Sequence, residues 1–245
     1  MQIKPITTNI FHQGDNLADF VVDSVGRVKD KSILVVTSKI VSLAQNRVIE
    51  IKNEKDRIRA IKKESQYAMR TKYTWLTIRD NMVMSSAGVD ESNANGKLIL
   101  LPKDSFQTAR NLRKFLMKEF KLKNLGVLIT DSRLLPLRAG IVGVALGYSG
   151  FKGLVRHKGK MDIFGRKIKT ARTDVADSLA AIAVLAMGEG NERRPLAIIE
   201  NTNVEFVNRI NKKELSIDVS DDMYQPLFAK IKRIKIKNGP CFYDV

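Results

Sequence analysis

The sequence predicts an α+β protein, mixed sheets with flanking helices, and three stretches predict it. Residues 32–37, SILVVT, are a continuous β-branched run of strand length, and 125–129, LGVLI, are a second short apolar run. Residues 105–120 instead repeat apolar side chains at Phe106, Ala109, Leu112, Leu116 and Phe120. Arg110, Arg113, Lys114 and Lys118 take the other side, which is the pattern of a helix with one core-facing stripe.

The remaining elements follow in order. Gly14-Asp15-Asn16 reads as a turn and cap, because Leu17, Phe20, Val21 and Val25 then recur at helical spacing. The strand at 32–37 ends in Ser38, Lys39 and Ser42. Residues 54–70 read as a polar surface helix with a thin apolar edge at Ile58, Ile61 and Ala68, and 73–79 and 82–86 alternate as strands. They lead into a loop at 87–96 that holds Asp90, Glu91, Ser92 and Asn93. Asp104 or Ser105 caps the helix at 105–120. The central strand begins at Leu125 and is expected to stop at the polar cluster Thr130, Asp131, Ser132 and Arg133. In 140–150 glycines interrupt an apolar strand-like pattern, which marks either a bulge or a close approach of backbone to a neighbour. Residues 157–170, with Asp162, Gly165 and Arg166, read as a hairpin or loop. Asp174 opens an Ala-rich helix through Ala186 that Gly188 closes, and 196–200 is a strand. Beyond Asn201 come a helical patch and a basic stretch at 230–238, to which no function attaches.

The 245 residues, 44% of them hydrophobic, suffice for one large domain or two small interlocked ones. No apolar run nears the roughly 20 residues that span a bilayer, and the N-terminal stretch has no apolar secretory segment, so the expected location is the cytoplasm. One cysteine and two distant histidines exclude a disulfide framework and a Cys-rich or helical zinc site. Oxygen ligands, and hence magnesium or manganese, are what remains for a metal. The 43 Lys and Arg against 26 Asp and Glu give a formal net charge of +17. Nucleic acid, small anionic substrates and plain lysine bias would each explain it, but few aromatics interleave with the charges as a single-strand binder requires.

Chemistry commonly sits where buried strands stop, because the strand fixes the backbone and the next residues face a cleft. Asp131 and Ser132 are the leading candidates on that ground. Lys39 is either a phosphate-facing cation or an ordinary solvated lysine, and Asp90 is either a metal ligand or a turn residue. There is no Walker A pattern, no G-x-G-x-x-G opening a helix after a strand and no H-E-x-x-H.

Five stretches together resemble the γ-glutamyl ligase family typified by the coenzyme F(420)-0:L-glutamate ligase: VVTSKIVS (35–42), AGVDESN (87–93), ITDS with Pro136 and Arg138, GxxDxxGR (159–166), and VADSLAAIAVLAMGE (175–189). The resemblance covers about residues 10–200 of what would be a single module over 1–245, with the tail 201–245 unassigned. It implies two interlocked subdomains in an intertwined homodimer, GTP or ATP as co-substrate, two Mg2+ or Mn2+ ions per site and K+. Small-molecule partners are then expected, namely the triphosphate, L-glutamate and a folate or deazaflavin acceptor, and neither specific nucleic acid nor membrane.

Carried onto this chain, the resemblance implies catalytic carboxylates at Asp90, Asp131 and Glu189. It places one metal on Asp90 and Asp131 and the second on Ser132 and Glu189. Thr8, Asn9, Ile10, Phe11, Ser38, Lys39, Asn93, Met187, Gly188, Gly190 and Asn191 would lie along the nucleotide. Three positions depart from the family pattern: Leu134-Leu135 stand where a Gly-Arg pair is usual, Leu43 replaces a lysine, and Ser178 replaces a glutamate. A folate acceptor is the expectation that the leucines favour. The rival readings are a basic nucleic-acid-binding protein and a relative that binds nucleotide without ligating.

Overall fold

The computed structural model describes residues 1–94, 96–228 and 241–243. Along the chain run β1 (Gln2–Ile6), α1 (Leu17–Val25), β2 (Ser32–Thr37), α2 (Ser38–Ala44), β3 (Val48–Glu50), α3 (Glu54–Glu64), β4 (Tyr67–Arg70), β5 (Trp75–Arg79), β6 (Met82–Ser85) and β7 (Lys97–Ile99). There follow α4 (Ser105–Glu119), β8 (Leu125–Leu134), β9 (Ile141–Ser149), β10 (Leu154–Arg156), β11 (Arg172–Asp174), α5 (Val175–Met187), β12 (Leu196–Glu200), α6 (Gln225–Phe228) and β13 (Cys241–Tyr243). The class is mixed α+β. Two compact units divide the chain, the first Met1–Asn46 with Pro102–Leu215 and the second Arg47–Leu101 with Ser216–Val245. Among the described residues no helix is long and apolar enough to cross a membrane.

The first unit is built on a five-stranded sheet in the order β1-β12-β2-β8-β9, in which only β2 and β8 pair in parallel. Both are fully buried along most of their length, which is why they read as continuous apolar runs rather than alternating ones. The α5 helix lies over the sheet through small residues: Ala176, Ala180 and Ala183 are completely buried against Ile33, Val35, Leu128, Ala197 and Ile199. Leu128 therefore marks the α5 side of β8. Alternation then sends Thr130 and Ser132 to that side and Ile129 and Asp131 to the other.

The glycine pattern at 140–150 is both a bulge and a close approach. A Cβ on Gly143 would stand 2.4 Å from the Ala180 carbonyl oxygen of α5, whereas one on Gly147 would stand 2.5 Å from the Phe106 nitrogen of α4. Four residues apart on a regular strand they would share a face. They do not, because Ile129 pairs with Gly147 and Thr130 with Ala145, so Leu146 is an extra residue that reverses the alternation. The Asp177 carboxylate, from the first turn of α5, accepts from the Ala145 amide beside it at 2.8 Å.

The second unit has the sheet order β13-β4-β5-β6 and a β3-β7 pair. Ala60, Ile61, Ala68, Trp75, Ala87, Val89, Leu98 and Leu100 form its core. Here the expected helix over 54–70 is corrected: α3 stops at Glu64, and Tyr67 to Arg70 pair with β5. Helical spacing had grouped Ala68 with Ile61, but both are buried by tertiary packing, Ala68 from a strand. Over its own length α3 is the expected polar surface helix: Glu54, Lys55, Arg59 and Lys63 are exposed, and Ile61 on its apolar edge is 1% exposed. The half-buried Glu64 carboxylate takes two guanidinium groups, Arg47 at 2.5 Å and Arg79 at 2.7 Å, which compensates its partial loss of water.

The central strand is the other correction. It does not stop at Thr130 but continues through Asp131 and Ser132 to Leu134, since β9 supplies partners Val144, Gly143, Val142 and Ile141. Asp162 has a local role, accepting from the Phe164 and Arg166 amides of its loop, as a turn residue does. The helical patch expected beyond Asn201 is the short α6, and the basic stretch at 230–238 lies outside the described residues.

Candidate functional site

One end of the first unit's sheet gathers most of the predicted positions. Ile6 at the end of β1 pairs with Leu196 at the start of β12, Leu196 pairs with Val36 near the end of β2, and Thr37 pairs with Thr130. The segments just beyond these residues are thus neighbours. The Thr8 amide donates to the Arg193 carbonyl at 2.9 Å and the Thr37 amide to the Pro195 carbonyl at 3.0 Å, which ties the N-terminal segment and β2 to the loop after α5.

On one side of β8 the Ser38 hydroxyl donates to Asp131 Oδ1 at 3.3 Å. On the other, the Ser132 hydroxyl donates to Glu189 Oε1. Glu189 follows α5 directly, after Gly188 at φ +83 has ended the helix. Glu192 folds back, accepting from the Gly190 amide at 2.8 Å with its carboxyl against Gly188. Any side chain at 188 would meet that carboxyl. Ser38 is buried, Lys39 and Asp131 are half-buried and Glu189 is exposed.

Among the described residues no three His, Cys, Asp or Glu side chains form a metal-holding group. What β8 offers is two carboxylate–hydroxyl pairs, one on each face. Hard divalent cations take such oxygens and leave places for water or phosphate, so this donor set fits magnesium or manganese. Four nucleotide candidates are buried, Thr8, Phe11, Ser38 and Met187, and Phe11 packs edge-on against Phe20 at 4.8 Å.

Residues 5–201 match the family described as F(420)-0:Gamma-glutamyl ligase. The chain belongs to this family. The similar proteins include the coenzyme F(420):L-glutamate ligase of Methanococcus maripaludis (strain C7), 35% identical over 216 residues that cover 81% of this chain and 86% of that one. The protein of that description from Archaeoglobus fulgidus is 32% identical over 80% of this chain and 85% of its own. That from Methanocaldococcus jannaschii is 42% identical over a shorter 130 residues, 53% of this chain and 52% of its own. This family member is accordingly an amide-forming ligase of the γ-glutamyl class.

In the ligase, Asp90 and Asn93 belong to the second unit. Asp90 exchanges both backbone hydrogen bonds with Ile99, and its carboxylate accepts from the Ser92 amide at 2.7 Å and the Ser92 hydroxyl at 2.8 Å. Asn93 has φ +54, a backbone conformation that asparagine tolerates. Of the leucines that depart from the family pattern, Leu43 lies in α2, Leu134 ends β8 and Leu135 follows it on the turn to β9, where Leu134, Leu135, Leu137 and Ile141 are all exposed.

Sequence reasoning opened α5 at Asp174 but missed the second carboxylate beside it, Asp177. Asp174 caps the helix by accepting from the Asp177 amide at 2.9 Å. Burial, with the Asp177 carboxylate beside it, pushes the Asp174 acid up to about 6. The folded chain therefore keeps a proton that the unfolded chain releases from pH 3.8 upward, and the stability this group contributes falls as pH rises from about 4 to about 6. Asp174→Asn keeps the acceptor and removes the charge. It is expected to raise the melting temperature at pH 7 relative to the parent and to leave it little changed near pH 4. A variant-to-parent difference that is equal at both pH values would contradict this.

Proposed function

We propose that the chain joins the amine of L-glutamate to a carboxylate of a ring-bearing coenzyme, at the sheet end that holds Ser38, Asp131, Ser132 and Glu189, with a nucleoside triphosphate as the energy source. The observation that carries the reading is the pair of carboxylate–hydroxyl contacts on opposite faces of β8. The acceptor carboxylate takes the terminal phosphoryl group, giving an acyl phosphate and a nucleoside diphosphate. The glutamate amine then attacks the acyl carbon, and phosphate and a proton leave.

In this reading Asp131, and Ser132 with Glu189, would hold Mg2+ or Mn2+, which when bound neutralises charge on the transferring phosphoryl group. Lys39 supplies positive charge where the triphosphate enters, and GTP or ATP would lie along Thr8–Phe11 and the loop 187–191. The chain's excess of cations favours a cleft that must collect three anions. The reading includes a homodimer in the cytoplasm.

Two acceptors remain in play. The names of the relatives favour the deazaflavin, whereas the exposed turn of Leu134, Leu135 and Leu137 favours a folate, because it offers an apolar wall to a flat ring where an arginine would grip an anion. Mass spectrometry of reactions containing GTP or ATP, Mn2+, L-glutamate and each acceptor decides between them. A mass gain of one glutamyl unit on one acceptor is expected, and its absence from both overturns the reading. Turnover is further expected to stop in EDTA and return with Mn2+, and full activity in EDTA would remove the metals from the account.

A further inference from the structure

The segment after β12 lies beyond the family match at residue 201, yet it is fastened along the first unit. The Lys152 amide donates to the Glu205 carbonyl at 2.9 Å and the Val207 amide to the Gly150 carbonyl at 3.0 Å. Val204, Phe206, Ile210 and Leu215 pack on the core beneath α5. Arg113 reaches Asn208 Oδ1, and Lys212 reaches Asp104 Oδ2, each at 3.1 Å. The segment is a strap, and Glu214 is its clasp.

One oxygen of Glu214 accepts from two groups, the Tyr148 hydroxyl at 2.6 Å and the Gly153 amide at 2.9 Å. Tyr148 is 1% exposed, and burial together with the Glu214 charge raises its phenol, so it stays a donor. A Cβ on Gly153 would come within 2.1 Å of the Tyr148 oxygen, so this junction accepts only glycine. The carbonyl of the same Gly153 faces the other way, accepting from the Val175 amide at 2.8 Å and the Ala176 amide at 3.2 Å. These are opening amides of α5, which a helix cannot satisfy internally. Gly153 thus links Glu214 to the start of α5, and the helix ends beside Glu189.

We infer that Glu214 is a positioning residue, which sets α5 through Gly153 and so fixes where Glu189 meets Ser132. The inference rests on Glu189 being a carboxylate of the ligase site. Glu214→Ala removes the acceptor, and Glu214→Gln keeps one. In the full-length chain, hydrogen exchange at Gly153, Val175 and Ala176 is expected to rise about tenfold in the alanine variant, with kcat falling about tenfold and KM for the triphosphate within about twofold. The glutamine variant should recover most of both. Tyr148→Phe removes one of the two donors to the same carboxylate and serves if the alanine variant does not fold, with the same pattern at about threefold. Unchanged exchange, or raised exchange with unchanged kcat, overturns the inference. If the parent chain proves not to ligate, the proposed function fails separately. Exchange at Gly188, whose amide is bonded to Val184, then decides: a rise in Glu214→Ala supports coupling along α5, and no rise overturns it.

Discussion

Asp131→Asn is expected to lower turnover about a hundredfold or more and to weaken Mn2+ binding, while the melting temperature stays within a degree or two of the parent. Asn occupies the same volume, and its carbonyl can still accept from the Ser38 hydroxyl, which lies 3.3 Å from the present oxygen. Its strand pairing with Val144 uses backbone alone and is untouched. What is lost is a negative charge at a half-buried position. In a purely structural role that charge matters little. In a site where divalent charge offsets a transferring phosphoryl group, one such electrostatic contact is worth about 3 kcal/mol, which is the hundredfold. Calorimetry with Mn2+, steady-state turnover and thermal melting, measured on Asp131→Asn and Glu189→Gln, separate the two roles. Near-normal turnover in both variants would remove these carboxylates from the chemistry.

The elements that depend on nearby residues were legible in the sequence. β2 has the expected bounds, and Asn16, Asp104 and Asp174 cap α1, α4 and α5 as their side chains predict. The end of β8 was not legible, because Asp131 to Leu134, past the last partner in β2, are strand only by virtue of β9, and strand pairing outweighs weak local propensity. The same holds for Ala68, which helical spacing assigned to α3 and the β4–β5 pairing claims. Candidate residues could be named, but their contacts could not. Ser38 and Asp131 are 93 positions apart and Ser132 and Glu189 are 57 apart, and only the sheet order brings them together. Glu214 left no local signal at all, since its partners Tyr148 and Gly153 are 66 and 61 positions away.

Gly143→Val should destabilise the chain by about 3 kcal/mol and should also reduce ligation in the molecules that remain folded. Local preference points the other way: Gly143 sits in a strand, where valine is intrinsically favoured by up to about 1 kcal/mol. Sterics outweigh it, because the first added carbon would lie 2.4 Å from the Ala180 carbonyl and 2.6 Å from Val184 Cγ2. The side chain of Val184 can rotate aside, but the carbonyl is held by the helix. The contact is made by Cβ itself, so no χ1 rotamer of the new valine relieves it. The α5 helix must therefore lift from β9, and it lifts at the turns that lead to Gly188 and Glu189, which separates Glu189 from Ser132 across the same gap. Pairing Gly143→Val with Val184→Ala should recover only part of the stability, since it removes the side-chain clash and leaves the carbonyl. Denaturant unfolding of the single and double variants gives both numbers. Full recovery in the double variant would show that α5 and β9 are not in backbone contact at Gly143, and the close approach of helix and strand would have to be abandoned.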